Sequence, residues 1–361
     1  MQHNILLKKT RYIGFLFSAT LAVAFFLGIS CGYFIEEWRQ EFEQGISVPG
    51  VYSMQVKGAT VSADDTTEQL EDTTAQLSIE NILPISEYKL VKKGQFSDLV
   101  VPNAHSAVIL DVHSGTILHY QNAKNRRQIA SLTKIMTGLL VMEHVKDLNV
   151  SVTITKEMLS VDGTVVGCPR SGYCPWTRFR EGEKIRVVDL MKAMLMNSAN
   201  DAATALGIYV GGTMENFVNM MNARAKNIGL QDTHFCTPSG LEIDGHEKSC
   251  YSTAYDIARI AAQTVQYDEM WKYLRHPETE IFSADGKITH KIITTNELIG
   301  KYPNLLGTKT GFTPNSGHSL LAVADDASGQ HSIVAVALDD PYRWKDIQDM
   351  MNWAFRAYEW L

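Results

Sequence analysis

No block of basic residues and no run of aromatics interleaved with basic side chains occurs in these 361 residues, so nothing in the chain points to nucleic acid. The formal charge of −7 is a mild acidity that names no partner. Internal repeats are absent, which excludes a solenoid or propeller. There are only five cysteines, none in a tight Cys-x-x-Cys pair, and the 11 histidines are scattered without ligand spacing. No metal and no cofactor is therefore expected. One stretch lacks charge altogether: Tyr12–Ile35, roughly 36 Å long as a helix at 1.5 Å per residue and so long enough to span a bilayer.

Lys8, Lys9 and Arg11 precede that run, while Glu36 and Glu37 follow it. The positive-inside rule then puts residues 1–11 in the cytoplasm, 12–35 in the membrane as a single-pass anchor, and the body outside. A cleaved signal peptide is the competing reading. Its apolar core is ordinarily about 7–15 residues and ends at a small-x-small site, which is not evident here. Gly28-Ile29-Ser30-Cys31 faintly matches a lipoprotein box, but Gly28 stands where a branched aliphatic residue is usual.

Residues 36–100 read as a flexible tether. Ala59–Gln76 is rich in Thr, Asp, Glu and Gln and has no aromatic residue, a composition that buries little surface. Ile82–Leu90 is more apolar and is expected to dock on the body. With hydrophobic residues at 45%, a globular body with a true core is expected over 101–361. Ala107–Val112 and Thr116–Tyr120 flank His113-Ser114-Gly115 as a hairpin. Apolar periodicity predicts helices from Ser131 to about Val145, Val187–Met196, Asp201–Tyr209, Met214–Ile228, Thr253–Val265 and Trp344–Trp360. The methionines on these helices read as core filler. Strands are predicted at Leu305–Thr313, His318–Ala324 and Ser332–Asp339. Strands at both ends of the body flanking a helical insert, about 135–300, imply one antiparallel sheet with helices packed on it, an α+β class.

Four cysteines form two local pairs, Cys168/Cys174 and Cys236/Cys250, on the outer side. An oxidising compartment favours two disulfides; a four-cysteine zinc site is the rival.

Chemistry is carried by three motifs in order: Ser131-Leu132-Thr133-Lys134, Ser198-Ala199-Asn200 and Lys309-Thr310-Gly311. Ser131 and Lys134, three apart at a helix start, lie on one face. A buried lysine near a second lysine is held neutral and can take the serine's proton as the serine attacks a carbonyl. Ser198, both donor and acceptor, can pass a proton to a leaving amine, and the Asn200 amide can hold Lys134. Lys309 and Thr310 suit a terminal carboxylate, with Gly311 leaving room for substrate backbone. Taken singly, each motif has a mundane alternative: a helix-capping serine, an Asn200-Asp201 N-cap, a surface lysine on an edge strand. A second Ser-x-x-Lys, Ser86–Lys89, reads as chance.

The conjunction resembles the penicillin-binding-protein and β-lactamase superfamily. Within it the chain is most similar to the low-molecular-mass D-alanyl-D-alanine carboxypeptidases, the S11 serine peptidases. The resemblance runs from about His105 to the C-terminus. It rests on Ala107–Asp111 with Ser114-Gly115, Ala130–Thr137, Asn197–Ala203, Pro238-Ser239-Gly240-Leu241, Tyr251-Ser252-Thr253-Ala254 and Lys309–Thr313. It implies a penicillin-binding-protein/β-lactamase-like fold, an antiparallel sheet flanked by helices with an all-helical subdomain. It also implies that Ser131 is acylated by peptidoglycan stem pentapeptides, releasing the terminal D-alanine. Lys134 would be the base, Ser198 and Asn200 the second element, Lys309 and Thr310 the carboxylate binders, and the N–H groups of Ser131 and Phe312 the oxyanion hole. β-Lactams would acylate Ser131. Many relatives continue into a β-rich domain and an amphipathic tail; here the N-terminal helix would serve as the anchor to the bacterial cytoplasmic membrane.

Ala199 replaces a glycine common in the family, and the two cysteine-bearing segments decorate the body, with an effect on substrate choice if they border the cleft. Three alternatives remain. Endopeptidase cleavage of D-alanine cross-links uses the same residues. A β-lactamase would need a glutamate, and Glu215-Asn216-Phe217-Val218-Asn219 mimics its motif on paper. A non-catalytic wall-binding module would suit the tether.

Overall fold

The computed structural model describes residues 89–168, 173–243, 245 and 248–361. The expected segments 1–11 and 12–35, and the tether up to residue 88, lie outside these. Among the described residues no helix is long and apolar enough to cross a membrane.

In chain order the body runs β1 (Leu90–Lys92), β2 (Ser106–Asp111), β3 (Ile117–Gln121), a 3₁₀ turn (Ala130–Thr133) and α1 (Lys134–His144). Next come β4 (Ser151–Thr153), α2 (Lys156–Leu159), β5 (Lys184–Arg186), α3 (Val187–Met196), α4 (Asn200–Gly211) and α5 (Met214–Asn227). They are followed by α6 (Ala254–Thr264), α7 (Asp268–Lys272), β6 (Glu278–Phe282), β7 (Thr289–Ile293), β8 (Leu305–Thr313), β9 (Gly317–Asp325), β10 (Ser332–Leu338), α8 (Arg343–Ala357) and β11 (Tyr358–Trp360).

The main sheet is antiparallel throughout, with strand order β3-β2-β10-β9-β8. Both ends of the chain segment contribute to it, as the strand–helix–strand pattern predicts. β2 and β10 are buried on both faces. Alternation therefore sends Val334, Val336 and Leu338 into the helical side with Leu139, Met194 and Ile257, whereas Ile333, Ala335 and Ala337 meet Ile347, Met350 and Ala354 of α8. The result is helix, sheet and helix in three layers. Met191, Met194, Met196 and Met221 are buried among the core residues, as filler.

The structure corrects three expectations. Residues 89–100 belong to the body rather than to a tether: β1 pairs with β11, and Trp353 Nε1 donates to the Ser97 carbonyl at 3.1 Å. The insert is not all helical, since two-stranded sheets β4–β5 and β6–β7 lie within it. Strands of three to five residues are too short to carry a legible period against neighbouring helices. Finally, the segment at Ser131 opens as a 3₁₀ turn and α1 proper begins at Lys134.

Helix starts follow the side chains. Thr213 and Thr253 cap α5 and α6, each accepting a backbone N–H three residues on, from Asn216 at 3.1 Å and Asp256 at 3.0 Å. Thr213→Ala is expected to lower stability by about 1 kcal/mol in urea unfolding, with no change at the distant Ser131.

Candidate active site

The 3₁₀ turn decides how the first motif works. With three residues per turn, side chains at i and i+3 eclipse, so Lys134 lies directly over Ser131. Lys134 Nζ is 2.8 Å from Ser131 Oγ, 2.8 Å from Asn200 Oδ1 and 2.7 Å from the Ser239 carbonyl. Asn200 Nδ2 donates to the Asp162 carbonyl at 2.7 Å, which fixes the amide with its oxygen toward the lysine. Asn200 Oδ1 and the Ser239 carbonyl only accept, so they take two N–H bonds. In a neutral amine the remaining position is a lone pair, and it faces Ser131. Lys134 is fully buried. That burial, and then the charge of Lys309, hold its amine well below the usual lysine range, with buried Asp201 opposing them.

The second motif joins the third. Ser198 stands between α3 and α4 with left-handed backbone, φ 60°. Strain of this kind at a polar residue is characteristic of functional positions. Its hydroxyl accepts from Lys309 Nζ at 2.9 Å, and Nζ also donates to the Thr310 carbonyl at 3.1 Å. Burial lowers the Lys309 pKa to about 7, with the Arg343 charge adding to the effect. An open cleft of about 450 Å³ lies in front of Ser131, with Ser198, Thr295, Thr310, Phe312 and Arg343 on its walls. Thr310 Oγ1 is 2.9 Å from Thr295 Oγ1.

Gly311 has a different reason from the one its sequence context offers. A Cβ there would sit 2.7 Å from the Ile129 carbonyl and 3.6 Å from Ala130 Cβ. The glycine lets β8, an edge strand, lie against the Ala130–Thr133 turn. The capping readings do not hold either. Ser131 Oγ meets Lys134, and the N-cap of α4 is Ala199, which makes no side-chain cap bond. Glu215 is exposed in the first turn of α5 and lines no part of the cleft, so the glutamate of the β-lactamase reading is out of place. The four described cysteines are paired as Cys168–Cys174 and Cys236–Cys250, and no metal-binding group occurs among the described residues.

Several contributors escaped the sequence. Ser239 acts through its carbonyl, which no residue-type pattern reveals, although the Pro238–Leu241 block was visible. The same block donates a second carbonyl, since Thr137 Oγ1 bonds to Pro238 O at 2.7 Å. Asp201 is buried beside Asn200 and accepts the N–H of Val166 at 3.2 Å and of Ala202 at 2.9 Å. Burial raises its pKa to about 6. Arg343, at the start of α8, brings a guanidinium to the cleft beyond Thr310 and donates to His318 Nδ1 at 2.8 Å. Its distance in sequence from the motifs hid it.

The sequence profile of D-alanyl-D-alanine carboxypeptidases, peptidase family S11, matches residues 97–342. The carboxypeptidase DacF of Bacillus subtilis is 31% identical over 267 residues, covering 74% of this chain and 66% of that one. A D-alanyl-D-alanine endopeptidase of Pseudomonas aeruginosa is 31% identical over 221 residues, covering 60% of this chain and 65% of that protein. The chain thus spans about two thirds of the length of these relatives, or less. Penicillin-binding protein D2 of Listeria monocytogenes, solved in an ampicillin-bound form, shares 29% identity and a TM-score of 0.60 over 72% of this chain and 100% of its own. The profile covers well over half of this chain, and the chain belongs to the D-alanyl-D-alanine carboxypeptidase family of serine peptidases.

Proposed function

We propose that the protein is a serine-type D-alanyl-D-alanine carboxypeptidase that removes the terminal D-alanine from peptidoglycan stem pentapeptides. The observation that carries this reading is Lys134 Nζ, buried, with two acceptor-only partners and its third direction on Ser131 Oγ. Ser131 Oγ attacks the carbonyl carbon of the penultimate D-alanine while its proton passes to Lys134 Nζ. The N–H groups of Ser131 and Phe312 hold the oxyanion. As the tetrahedral intermediate collapses, the C–N bond breaks and Ser198 hands a proton to the departing amine. Ser198 is then reprotonated at the expense of Lys134, which so regains its lone pair, takes a proton from the water that attacks the ester and returns it to Ser131 Oγ as the ester C–O bond breaks. Thr310, Lys309 and Arg343 provide a hydroxyl and two cations for the carboxylate of the leaving residue.

β-Lactams would enter as covalent inhibitors of Ser131, in keeping with the ampicillin-bound relative. Cleavage of D-alanine cross-links is the second reading, favoured by the endopeptidase relative and by the open cleft. The charge-free run 12–35 would anchor the chain in the bacterial cytoplasmic membrane with the body outside, and two disulfides suit that oxidising side.

The test uses the full-length protein in detergent with pentapeptide monomers, cross-linked dimers and benzylpenicillin, read by mass spectrometry. Loss of one alanine from monomers and one penicilloyl adduct, both abolished in Ser131→Ala, are the expected results. Cleavage of dimers alone would shift the activity to endopeptidase. No turnover and no adduct in the folded wild type would refute the enzyme reading.

A further inference from the structure

Outside the cleft, aromatic side chains are exposed on or beside the two segments that build a second recess. Tyr173 is 73% exposed, Phe282 43% and Trp176 37%. Trp176 borders an open trough of about 680 Å³. Its floor is the outer face of the β6–β7 hairpin. There alternation turns Glu280, Phe282, Thr289 and Lys291 outward and sends Ile281, His290 and Ile292 inward. Its wall is the extended segment from Pro175 to Arg180, which brings Trp176, Arg178 and Arg180.

The trough is built in advance. Phe179 is buried against the His290 ring, 4.9 Å between centroids and edge-on. His290 Nδ1 lies 3.0 Å from the Thr177 carbonyl and Nε2 lies 2.6 Å from Glu183 Oε1. Glu183 in turn accepts the Arg180 N–H at 2.9 Å. The Cys168–Cys174 bond and the Trp176 N–H, on the Gly167 carbonyl at 3.3 Å, tie the start of the wall to the segment beside α4. Wall and floor are thus fixed to each other through buried groups, so a ligand meets little ordering cost.

Wall and floor both lead to the cleft at Ser131. The chain of the wall segment includes Thr164, which lines that cleft, and β7 runs directly into Thr294, Thr295 and Asn296, which line it too. From Thr294 back to Thr289 is about 17 Å at about 3.3 Å per residue. The four residues ahead of the scissile bond of a stem pentapeptide reach at most about 14 Å. The near end of the trough, at Lys291 about 10 Å from Thr294, lies within that reach, and its far end at Thr289 lies beyond it and meets whatever the stem peptide hangs from.

We infer that this trough is a saccharide subsite that holds the glycan strand of the wall while its stem peptide occupies the cleft. The lining fits a pyranose. The Trp176 ring offers an apolar plate to the C–H face of a sugar. The arginines, Lys291 and Thr289 donate to hydroxyl or acetamido oxygens, and Glu280 accepts from hydroxyls. Carboxylates among the cations set it apart from a surface built for a polyanion: Glu280 lies in the floor and Glu278 pairs with Lys291 at 2.9 Å. The inference rests on the carboxypeptidase reading for the identity of the strand.

The test compares free pentapeptide with the same peptide carried on a disaccharide, in the full-length protein and in Trp176→Ala and Arg180→Ala. The expected result is a KM about tenfold lower for the glycan-linked substrate, an advantage worth about 1.4 kcal/mol. Both variants should lose that advantage while keeping the wild-type kcat and the wild-type KM on free peptide. In parallel, calorimetry with the N-acetylglucosamine tetramer should show binding to wild type and none to Trp176→Ala. Equal KM values for the two substrates in wild type, or an advantage that survives in both variants, would overturn the subsite. So would binding of inorganic polyphosphate with the tetramer inert, which would make the trough an anion site. Benzylpenicillin acylation of Ser131 reports separately on the catalytic reading, and the tetramer titration does not depend on it.

Discussion

Lys134→Ala is expected to slow acylation of Ser131 by about 10²–10⁴-fold, the usual span for a positioned proton acceptor. Mass-spectrometric time courses with benzylpenicillin measure it, and a melting curve checks that the variant is folded. Lys134→Arg should not restore the rate, because a guanidinium stays protonated and offers no lone pair. The pH profile supplies a second check with a definite sign. Burial and the Lys309 charge depress the Lys134 pKa, and the reactive form is the neutral one. Acylation should therefore rise with pH through that lowered pKa and reach a plateau once the amine is neutral. The other lysine works in the opposite sense. In the proposed mechanism Lys309 binds as a cation, and burial lowers its pKa to about 7. Affinity for a carboxylate substrate should then weaken as pH rises beyond that value, with the substrate's own charge pushing the limit upward. An acylation rate in Lys134→Ala within a few-fold of wild type would remove Lys134 from the role of base.

Gly240→Ala should be severely damaging. At Gly240 φ is +76°, and an added Cβ would lie 2.0 Å from the Ala130 carbonyl oxygen and 2.7 Å from Thr133 Oγ1. Ala130 itself holds a left-handed backbone, φ 46°, directly before the nucleophile. Neither side can give way without moving Ser131 or the Ser239 carbonyl. Left-handed backbone costs about 1–2 kcal/mol and overpacking about 1–3 kcal/mol, so a loss of roughly 2–5 kcal/mol is expected in urea unfolding. Displacement of the nucleophile should also cost about 10²-fold in acylation. Gly286→Ala is the control: its φ is +70°, yet nothing lies within 4 Å of the added carbon. It should lose only the backbone part and acylate normally. Wild-type acylation in Gly240→Ala would show that the segment and the turn are not sterically coupled.

The Gly240 contact also explains how the Cys236–Cys250 segment serves the site. The disulfide closes a stretch whose ends are already paired, His234 with Tyr251. From that stretch come the carbonyls on Thr137 and Lys134, and Glu242, which accepts from Thr313 Oγ1 at the end of β8 and from Asn315 Nδ2 at 2.7 Å. One short segment therefore bears on both the base and the oxyanion strand.

What the sequence by itself determined is the part of the protein written in side-chain type and short-range period. Ser131, Lys134, Ser198, Asn200 and Lys309 could be read as one set because their types and order fit acyl transfer, and a helix such as Met214–Asn227 was legible because its buried Phe217, Met221 and Ala225 recur every four residues. The strands at the two ends of the body were legible as runs of β-branched and small apolar residues, which was enough to imply one shared sheet. What only the tertiary structure decided is whatever depends on approach between distant segments. The carbonyl of Ser239 is identical in kind to every other carbonyl, and only its 2.7 Å distance makes it a partner of the base. Arg343 looks like any helix-start arginine until α8 packs on β9 and β10 and turns it to the cleft. Gly311 and Gly240 are loop and strand glycines in the sequence; in the fold they are the two points where backbone must pass within a methyl's width of the nucleophile turn. Local pattern records what a residue can do, and chain crossing alone records what it meets, because the contacts that place these groups join segments far apart in sequence and leave no period behind.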